Sequence, residues 1–454
     1  MLVPEIALTP QLVGRFRARF GDDIAVLHSG LTARQRDDAW QALRRGRVHV
    51  AIGARSALFA DMALLRAQYA GAVCVLGSAT PSVETYHRAN EGRIRLLSLP
   101  TRATGATMPE VEIVDLRRQR KGPTGHSLLS GPLHSAIGQC LESGHQAIVF
   151  LNRRGFSPSV RCAACGAVAE CPACSVALTE HRGQGALRCH YCDFHRAVAI
   201  PCPACGSAEY KRIGVGTEQL EQSIDESFPK ARVARLDRDT ASGDGVEAVL
   251  DRLRTGEIDV LVGTQMVTKG HDIAAVTLVG VALADQSLAF PDFRASERTF
   301  QLLAQVAGRA GRADTPGKVI LQTYQPDHPA VRLAAQHDYE SFYAEEIRDR
   351  EEVGYPPFTR LVSVRVHAGA EADARSATQL LADVARQHQA VADGAVQVLG
   401  PAPAPLVRLR GRYHYRLLLK SPDRKLLRNV TAHLAARIDQ GLPPTHVTLD
   451  IDPL

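Results

Sequence analysis

Four Cys-x-x-Cys pairs lie between residues 162 and 205: Cys162/Cys165, Cys171/Cys174, Cys189/Cys192 and Cys202/Cys205. A two-residue gap lets both sulfurs of one tight turn face a common point, which is what a tetrahedral metal needs. Zn2+ is satisfied by four thiolates in a closed structural site, so four pairs predict two such sites, with no open position for water. A module of this kind shapes and binds rather than catalyses. A disulfide framework would use the same residues. Against it, Cys74 and Cys140 sit in apolar surroundings without a Cys-x-x-Cys partner and no signal peptide precedes them, which points to a reducing cytoplasm. Spacing alone leaves three ways to combine the four pairs into two quartets.

The chain has 454 residues, 45% of them hydrophobic, enough to bury two or three cores. No apolar run approaches the roughly 18–20 residues of a membrane span, so no membrane partner is expected. The formal net charge of +6 is a modest excess, and its clustering says more. Arg117, Arg118, Arg120 and Lys121 form one run, and Arg408, Arg410, Arg412, Arg416 and Lys420 another, with Tyr413 and Tyr415 between them. Cations that pair phosphates, interleaved with rings that stack on bases, point to nucleic acid.

Positioning these residues requires a framework, and the apolar pattern supplies one. Short strands at Ile24 to Leu27 and Val48 to Ile52 alternate with helices at Pro10 to Phe20 and Ala33 to Arg45, followed by a buried strand at Ala72 to Leu76. A second series places strands at Ala147 to Leu151, 232–236, 258–264, 276–283 and 318–323, with a long helix from Ser296 to Val306. Alternation of this kind predicts parallel α/β sheets. The last hundred residues read strand, helix, strand, strand, helix, strand, the order of a ferredoxin-like split βαβ domain. The expected divisions are a first lobe over 1–115, a linker over 116–145, and a second lobe over 146–330 with the cysteine insertion at 160–210. A linker helix over 331–358 and a C-terminal α+β domain over 359–454 complete the chain.

Ligands bind at the C-terminal ends of strands in open α/β sheets, and several loops there carry unusual residues. Gly77-Ser78-Ala79-Thr80-Pro81 is a turn of small hydroxyl residues, with Thr80 an alternative helix N-cap. Gly263-Thr264-Gln265-Met266 and Lys269-Gly270-His271-Asp272 are crowded with polar groups. Gln305-Val-Ala-Gly308-Arg309-Ala-Gly311-Arg312 presents two arginines three apart at a helix end, a pattern suited to the charge of a transferring phosphoryl group.

Together, Gly-Ser-Ala-Thr in one lobe and Gln-x-x-Gly-Arg-x-Gly-Arg in the other resemble superfamily 2 helicases. The four-knuckle insertion narrows the resemblance to the PriA family of primosomal replication-restart helicases. Leu2-Val-Pro-Glu-Ile6, Gly53-Ala-Arg-Ser56, Phe150-Leu-Asn-Arg-Arg154, Gly214-Val-Gly-Thr-Glu218, Tyr355-Pro-Pro357, Arg412-Tyr-His-Tyr-Arg416 and Asp450-Ile-Asp-Pro453 extend it over essentially the whole chain. It implies two RecA-like lobes and an ATP-driven motor translocating 3′→5′ on DNA. Its partners would be forks and single-stranded DNA, primosome proteins and the single-stranded DNA-binding protein. A monomer is the default expectation, and the resemblance implies a bacterial cytoplasmic, nucleoid-associated protein with ATP, Mg2+ and two Zn2+ as cofactors. On this pattern Arg309 and Arg312 reach ATP with Gln305 nearby, and Ser78, Ala79 and Thr80 couple hydrolysis to DNA. Glu5, Arg55, Arg153, Arg154, Thr264, Gln265 and Lys269 line the DNA path. The family's zinc sites are nested, with Cys162, Cys165, Cys202 and Cys205 around one ion and Cys171, Cys174, Cys189 and Cys192 around the other. His190 and His195 stand by.

Two family features are missing from the sequence. The phosphate loop and N-terminal fork-binding domains would precede Met1, and the Mg2+-binding Asp-Glu-x-His box would fall between Phe59 and Ala72. That interval holds one acid, Asp61. The first lobe is therefore expected to be incomplete and ATP hydrolysis weak or absent. The alternative reading is a non-enzymatic, zinc-containing DNA-binding and primosome-docking module. A zinc-ribbon transcription factor fits the two α/β lobes poorly.

Overall fold

The computed structural model describes residues 2–3, 17–27, 32–48, 50–54, 67–69, 71, 73–99, 108–119, 128–151, 159–174, 176–181, 186–189, 191–197, 201–213, 217–237, 245–264, 275–310, 317–409, 411–442 and 445–453. The first lobe contributes a small parallel sheet in the order β1 (Leu2–Val3), β3 (Val50–Ala54), β2 (Ile24–Leu27), with α1 (Ala33–Arg44) between β2 and β3. The buried strand expected over Ala72 to Leu76 does not form among the described residues. Val73 is 90% and Val75 68% exposed. The next segment, α2 (Val83–Asn90), packs on the other lobe, where Val83 is fully buried in the core. Tyr69, Leu97 and Leu99 are also exposed.

The second lobe is a six-stranded, all-parallel sheet in the order β11 (Val233–Leu236), β12 (Val260–Gly263), β5 (Gln146–Phe150), β13 (Val276–Val281), β14 (Lys318–Thr323), β4 (Glu110–Asp115). Its central strands are nearly all apolar and buried on both faces, as a parallel sheet covered by helices must be. One face packs on α3 (Gly131–Glu142) and α4 (Thr217–Ser227) through Leu133, Ile137, Leu220 and Ile224. The other packs against α5 (Gly245–Arg254), α6 (Ala295–Ala307), α7 (Pro329–Ala335) and α8 (Tyr339–Val353), where Phe300 stacks on Phe342 with centroids 4.3 Å apart.

Two expected boundaries move. Glu110–Asp115 pairs residue for residue with β14, so the second lobe's sheet begins before residue 115. The stretch 116–145 is not a bare linker either, because α3 lies within it and buries Leu133, Ala136, Ile137 and Cys140 against the sheet.

His328 caps α7 by accepting from the Ala330 amide at 3.1 Å. Burial pushes its imidazole down to about 4, although Asp285 pulls the other way. A histidine neutral in the fold and ordinary when unfolded makes the unfolded state bind more protons between about pH 6.5 and 4, so stability falls as pH drops through that window. About 3 kcal/mol is at stake at the acid end. His328→Asn keeps a capping oxygen without the titration. Denaturation of the two proteins at neutral pH and near pH 5 is expected to show a markedly flatter pH dependence for the variant.

The C-terminal domain comprises β15 (Arg360–Ala368), α9 (Glu371–Arg386), α10 (Gln389–Ala392), β16 (Gln397–Leu409), β17 (Arg412–Ser421), α11 (Arg424–Asp439) and β18 (Thr445–Ile451). Its antiparallel sheet runs β16-β17-β15-β18, the strand order of the ferredoxin-like fold. Val362, Val364, Val366, Leu417 and Leu419 alternate onto the face covered by α9 and α11. Asp423 caps α11 by accepting from the Lys425 and Leu426 amides.

Candidate metal centres and motor-lobe residues

The cysteine module leaves the second lobe after β5 and returns before α4. It is built on a two-stranded ladder, β6 (Ser159–Cys162) with β10 (Tyr210–Ile213), and a three-stranded sheet of β7 (Thr179–His181), β8 (Ala186–Arg188) and β9 (His195–Ala197). The knuckles are tight turns closed by backbone bonds, such as Gly166 N to Cys162 O at 3.0 Å and Gly206 N to Cys202 O at 2.8 Å. Among the described residues they form two quartets, Cys162, Cys165, Cys202, Cys205 and Cys171, Cys174, Cys189, Cys192, each with all four Sγ atoms within 4.8 Å of one another. Three of the sulfur–sulfur distances are 3.5 Å (Cys162–Cys205), 3.7 Å (Cys165–Cys202) and 3.6 Å (Cys171–Cys192). Tetrahedral Zn2+ with bonds of about 2.3 Å places its sulfurs about 3.8 Å apart, so both quartets fit the ion. His195 is exposed, and its Nδ1 lies 3.4 Å from the Asp193 carbonyl.

The two quartets are anchored to different bodies. The outer one is fixed to the second lobe. Arg161, beside Cys162, forms a fully buried ion pair with Asp285 and donates to the Asp285 carbonyl at 2.6 Å. Arg117 donates to the Cys165 carbonyl at 3.2 Å. Gly166 (φ +76°) presses on the end of β14 so closely that a Cβ there would stand 2.1 Å from the Tyr324 carbonyl. The inner quartet faces the C-terminal domain, in one apolar cluster with Tyr191, Tyr355, Leu361 and Leu418. The Tyr355 hydroxyl donates to the Cys174 carbonyl at 2.7 Å, and Arg416 lies over the Tyr191 ring at 4.4 Å.

This docking revises the reading of the second basic run. Strand alternation sends Tyr413 and Tyr415 toward α9, where the Tyr415 hydroxyl donates to Glu371 at 2.9 Å, so neither ring is a free stacking platform. On the opposite side Arg416 is taken up by Tyr191, and Lys420 donates to the Val353 carbonyl at 2.7 Å. Arg410 lies outside the described residues.

The motor residues fall partly within the structure. Thr264 follows β12 at the C-terminal edge of the sheet, where ligand loops belong. Gln305 sits in the last turn of α6, but the helix ends at Ala307 and Arg309 lies in the turn beyond it, so Arg309 is not on a helix face. Ser78, Ala79 and Thr80 form a turn in which the Thr80 amide donates to Ser78 Oγ at 3.2 Å, and Ser82 rather than Thr80 caps α2. Glu5, Arg55, Arg153, Arg154, Gln265, Lys269 and Arg312 lie outside the described residues.

The Ser-Ala-Thr turn is tied to α6. Gln301 donates to the Thr80 and Pro81 carbonyls at 3.4 Å each, Tyr339 donates to Pro81 O at 2.9 Å, and the Val83 amide donates to Glu297 Oε1 at 3.2 Å. Glu297 is buried beside Arg350, which bonds to it at 2.7 Å, to Glu346 at 2.8 Å and to Glu84 at 3.3 Å. Arg294 binds Glu84 at 2.8 Å and the Pro453 carbonyl at 2.6 Å. Burial, then the Glu84 charge, pushes the Glu297 carboxyl up. Burial acts the same way on Glu84, but Arg294 and Arg350 outweigh it and hold that carboxyl below its ordinary value. Sequence reasoning missed this hub. Its available signal was the i, i+4 pair Glu346/Arg350 in the helix before Tyr355.

A parallel α/β lobe carrying an inserted pair of cysteine quartets and followed by a ferredoxin-like domain defines a helicase-type α/β protein. Residues 208–314 match the helicase conserved C-terminal domain, 171–196 the PriA DNA helicase Cys-rich region, and 351–454 the primosomal protein N C-terminal domain. The chain belongs to the PriA family. It is 39% identical to the replication restart protein PriA of Treponema pallidum, across all of this chain and 72% of that protein. Identity is 39% to the Bacillus subtilis protein and 40% to that of Synechocystis, again across the whole chain but only 59% and 58% of those proteins, so the chain spans a little over half their length. The Bacillus subtilis alignment runs over 486 residues against the 454 here, so that relative carries residues inside the aligned span that this chain lacks. A structure of RecG bound to a three-way DNA junction overlaps 78% of this chain and 43% of its own at 13% identity and a TM-score of 0.35, too loose a likeness to argue from.

Proposed function

We propose that this chain is the zinc-bearing, DNA-binding portion of a replication-restart motor. The observation that carries this reading is the pair of cysteine quartets set between a helicase lobe and the C-terminal domain, in a chain matched from end to end by replication restart proteins. Each quartet would hold one structural Zn2+. DNA, as single strands and forks, is the substrate class; primosome proteins and the single-stranded DNA-binding protein are the partner class. Thr264, Gln265, Lys269, Arg153 and Arg154 would lie along the DNA, and Gln305, Arg309 and Arg312 would face nucleotide.

Nucleotide chemistry is a separate matter, decided in the chain's interior. The interval from 60 to 71 has Asp61 as its one acid, where Mg2+ and the attacking water would need an acidic pair. The same interval favours the second reading, in which the polypeptide binds forks and docks proteins without turning over ATP. The purified chain is expected to bind a forked oligonucleotide with an affinity that falls steeply as salt rises, and to show no DNA-stimulated, Mg2+-dependent ATP hydrolysis. Fluorescence anisotropy and a phosphate-release assay on one preparation separate the outcomes. DNA-stimulated hydrolysis would overturn the binding-only reading, and salt-insensitive or absent fork binding would overturn both.

A further inference from the structure

The face of the C-terminal sheet turned away from α9 and α11 is only half covered. The end bearing Leu361, Leu399 and Leu418 lies under the inner cysteine quartet. The other end carries three histidines in a line across three strands. His367 on β15 stands directly opposite His414 on β17 and His446 on β18. The rings of His367 and His446 are parallel, with centroids 4.7 Å apart, and those of His367 and His414 are 5.1 Å apart. His446 is exposed, and the other two are half-buried.

We propose that this histidine ladder is a third metal site, in which His367 and His446, with His414 as a further donor, bind one divalent transition ion of the Ni2+, Cu2+ or Zn2+ type. Neutral imidazole is the preferred ligand of those ions. Two rings bound at about 2.0–2.1 Å around one ion, at angles between square and tetrahedral, stand about 4.5–5 Å apart centre to centre. The ladder already holds that spacing, because directly opposed residues on antiparallel strands are fixed by the backbone bonds. The rings are stacked rather than convergent here, so binding requires them to rotate about their side-chain torsions and turn their nitrogens toward one ion.

Ligation needs uncharged rings. Burial, followed by the neighbouring His446, His414 and Arg412, holds the His367 ring below its ordinary value, which leaves it neutral at physiological pH. Of the other charged groups on this face, Arg365 is paired with Asp450 at 2.8 Å, and Arg412 Nη1 lies 3.3 Å from His367 Nδ1. The ion would displace that arginine contact. The site shares no residue with the cysteine quartets.

The test uses the full, zinc-loaded chain, freed of loose metal and titrated with Ni2+ by calorimetry at about pH 7.5, where free histidine is neutral. The expected result is one Ni2+ bound beyond the zinc content, with His367→Asn and His446→Asn each weakening binding by about tenfold or more. Arg412→Gln is expected to tighten it. His433→Asn, on α11 across the sheet, is expected to leave it unchanged. The proposal fails if no ion binds beyond the zinc, if His367→Asn binds as well as the parent, or if His433→Asn abolishes binding. Should a ladder variant misfold, Cu2+ broadening of histidine ring resonances in the unaltered protein decides. Broadening of 367, 414 and 446 supports the site, and broadening confined to other histidines refutes it.

Discussion

Stripping metal from the inner quartet is expected to release the C-terminal domain as well as to unfold the knuckles. Cys171, Cys174 and Cys189 share one apolar cluster with Tyr355, Leu361 and Leu418, so the ion that gathers the sulfurs also shapes the surface on which the domain rests. Structural Zn2+ contributes on the order of 10 kcal/mol to the folding of such modules, far more than the contacts it organises. Without the ion, four thiols this close compete for protons. Hydrogen bonds from Cys174 and Cys189 pull the Cys171 thiol down, while the same contacts push Cys174 up. After chelation, amide exchange should accelerate by orders of magnitude across 171–196 and rise at Leu418 and Lys420 on β17, while the core around Leu381 and Val430 keeps its protection. Cys205→Ser is the control: Cys205 is exposed and belongs to the quartet fixed to the second lobe, so its loss should leave the domain docked. If the chelated protein retains protection at Leu418, the inner ion is not what holds the domain.

The second large effect belongs to Arg350. It neutralises Glu297 and Glu346 in the interior and reaches Glu84, and its Nη1 donates to the Pro356 carbonyl at 3.3 Å. Arg350→Met keeps most of the volume but strands the carboxylates, and breaking a buried pair in this way costs about 3–5 kcal/mol. The loss should be largest at neutral pH. Glu297 is already held above its ordinary value, and a carboxyl whose folded pKa exceeds its unfolded one favours folding at the acid end and loses that contribution as pH rises. Without Arg350 it should simply take up a proton as the solution is acidified. Melting temperatures of variant and parent should therefore lie further apart near pH 7 than near pH 5, and Glu297→Gln added to Arg350→Met should recover part of the deficit at neutral pH. A variant as stable as the parent near pH 7 would show that the hub carries no net weight.

Much of this was legible in the sequence, and what was not has identifiable physical causes. The strands at 146–150, 260–263 and 318–323 carry mostly apolar cores that suit a buried parallel sheet, and the C-terminal order follows from alternation at Val362, Val364 and Val366. The knuckles announce metal because their spacing is a local property. Pairing is not local: Cys162 meets Cys205 through the ladder of β6 with β10, which no spacing rule contains. The apolar segment at 72–76 read as a strand because pattern reports what a segment could do, not whether an adjoining edge exists to receive it. The basic run misled in a different way. Its residues are cationic and aromatic as nucleic-acid surfaces are, yet Arg416 is taken up by Tyr191 of the module and Lys420 by the Val353 carbonyl and the Tyr355 ring. The Arg350 hub was invisible because charged residues on a helix read as solvated until a partner helix buries them.

One strand holds these arrangements together. Along β17, odd-numbered residues Tyr415, Leu417 and Leu419 face the domain's own helices, while even-numbered Arg416, Leu418 and Lys420 face the module, and His414 faces the open end. Because successive side chains point to opposite faces, adding or removing a single residue within the strand, between Tyr415 and Leu417, would turn the residues on one side of the change to the wrong face. The domain would lose its core and its mooring in the same event. Single-residue insertions are thus expected to be far more damaging inside this strand than in the turn between Leu409 and Arg412, a contrast that insertions placed at both positions would expose in folded yield.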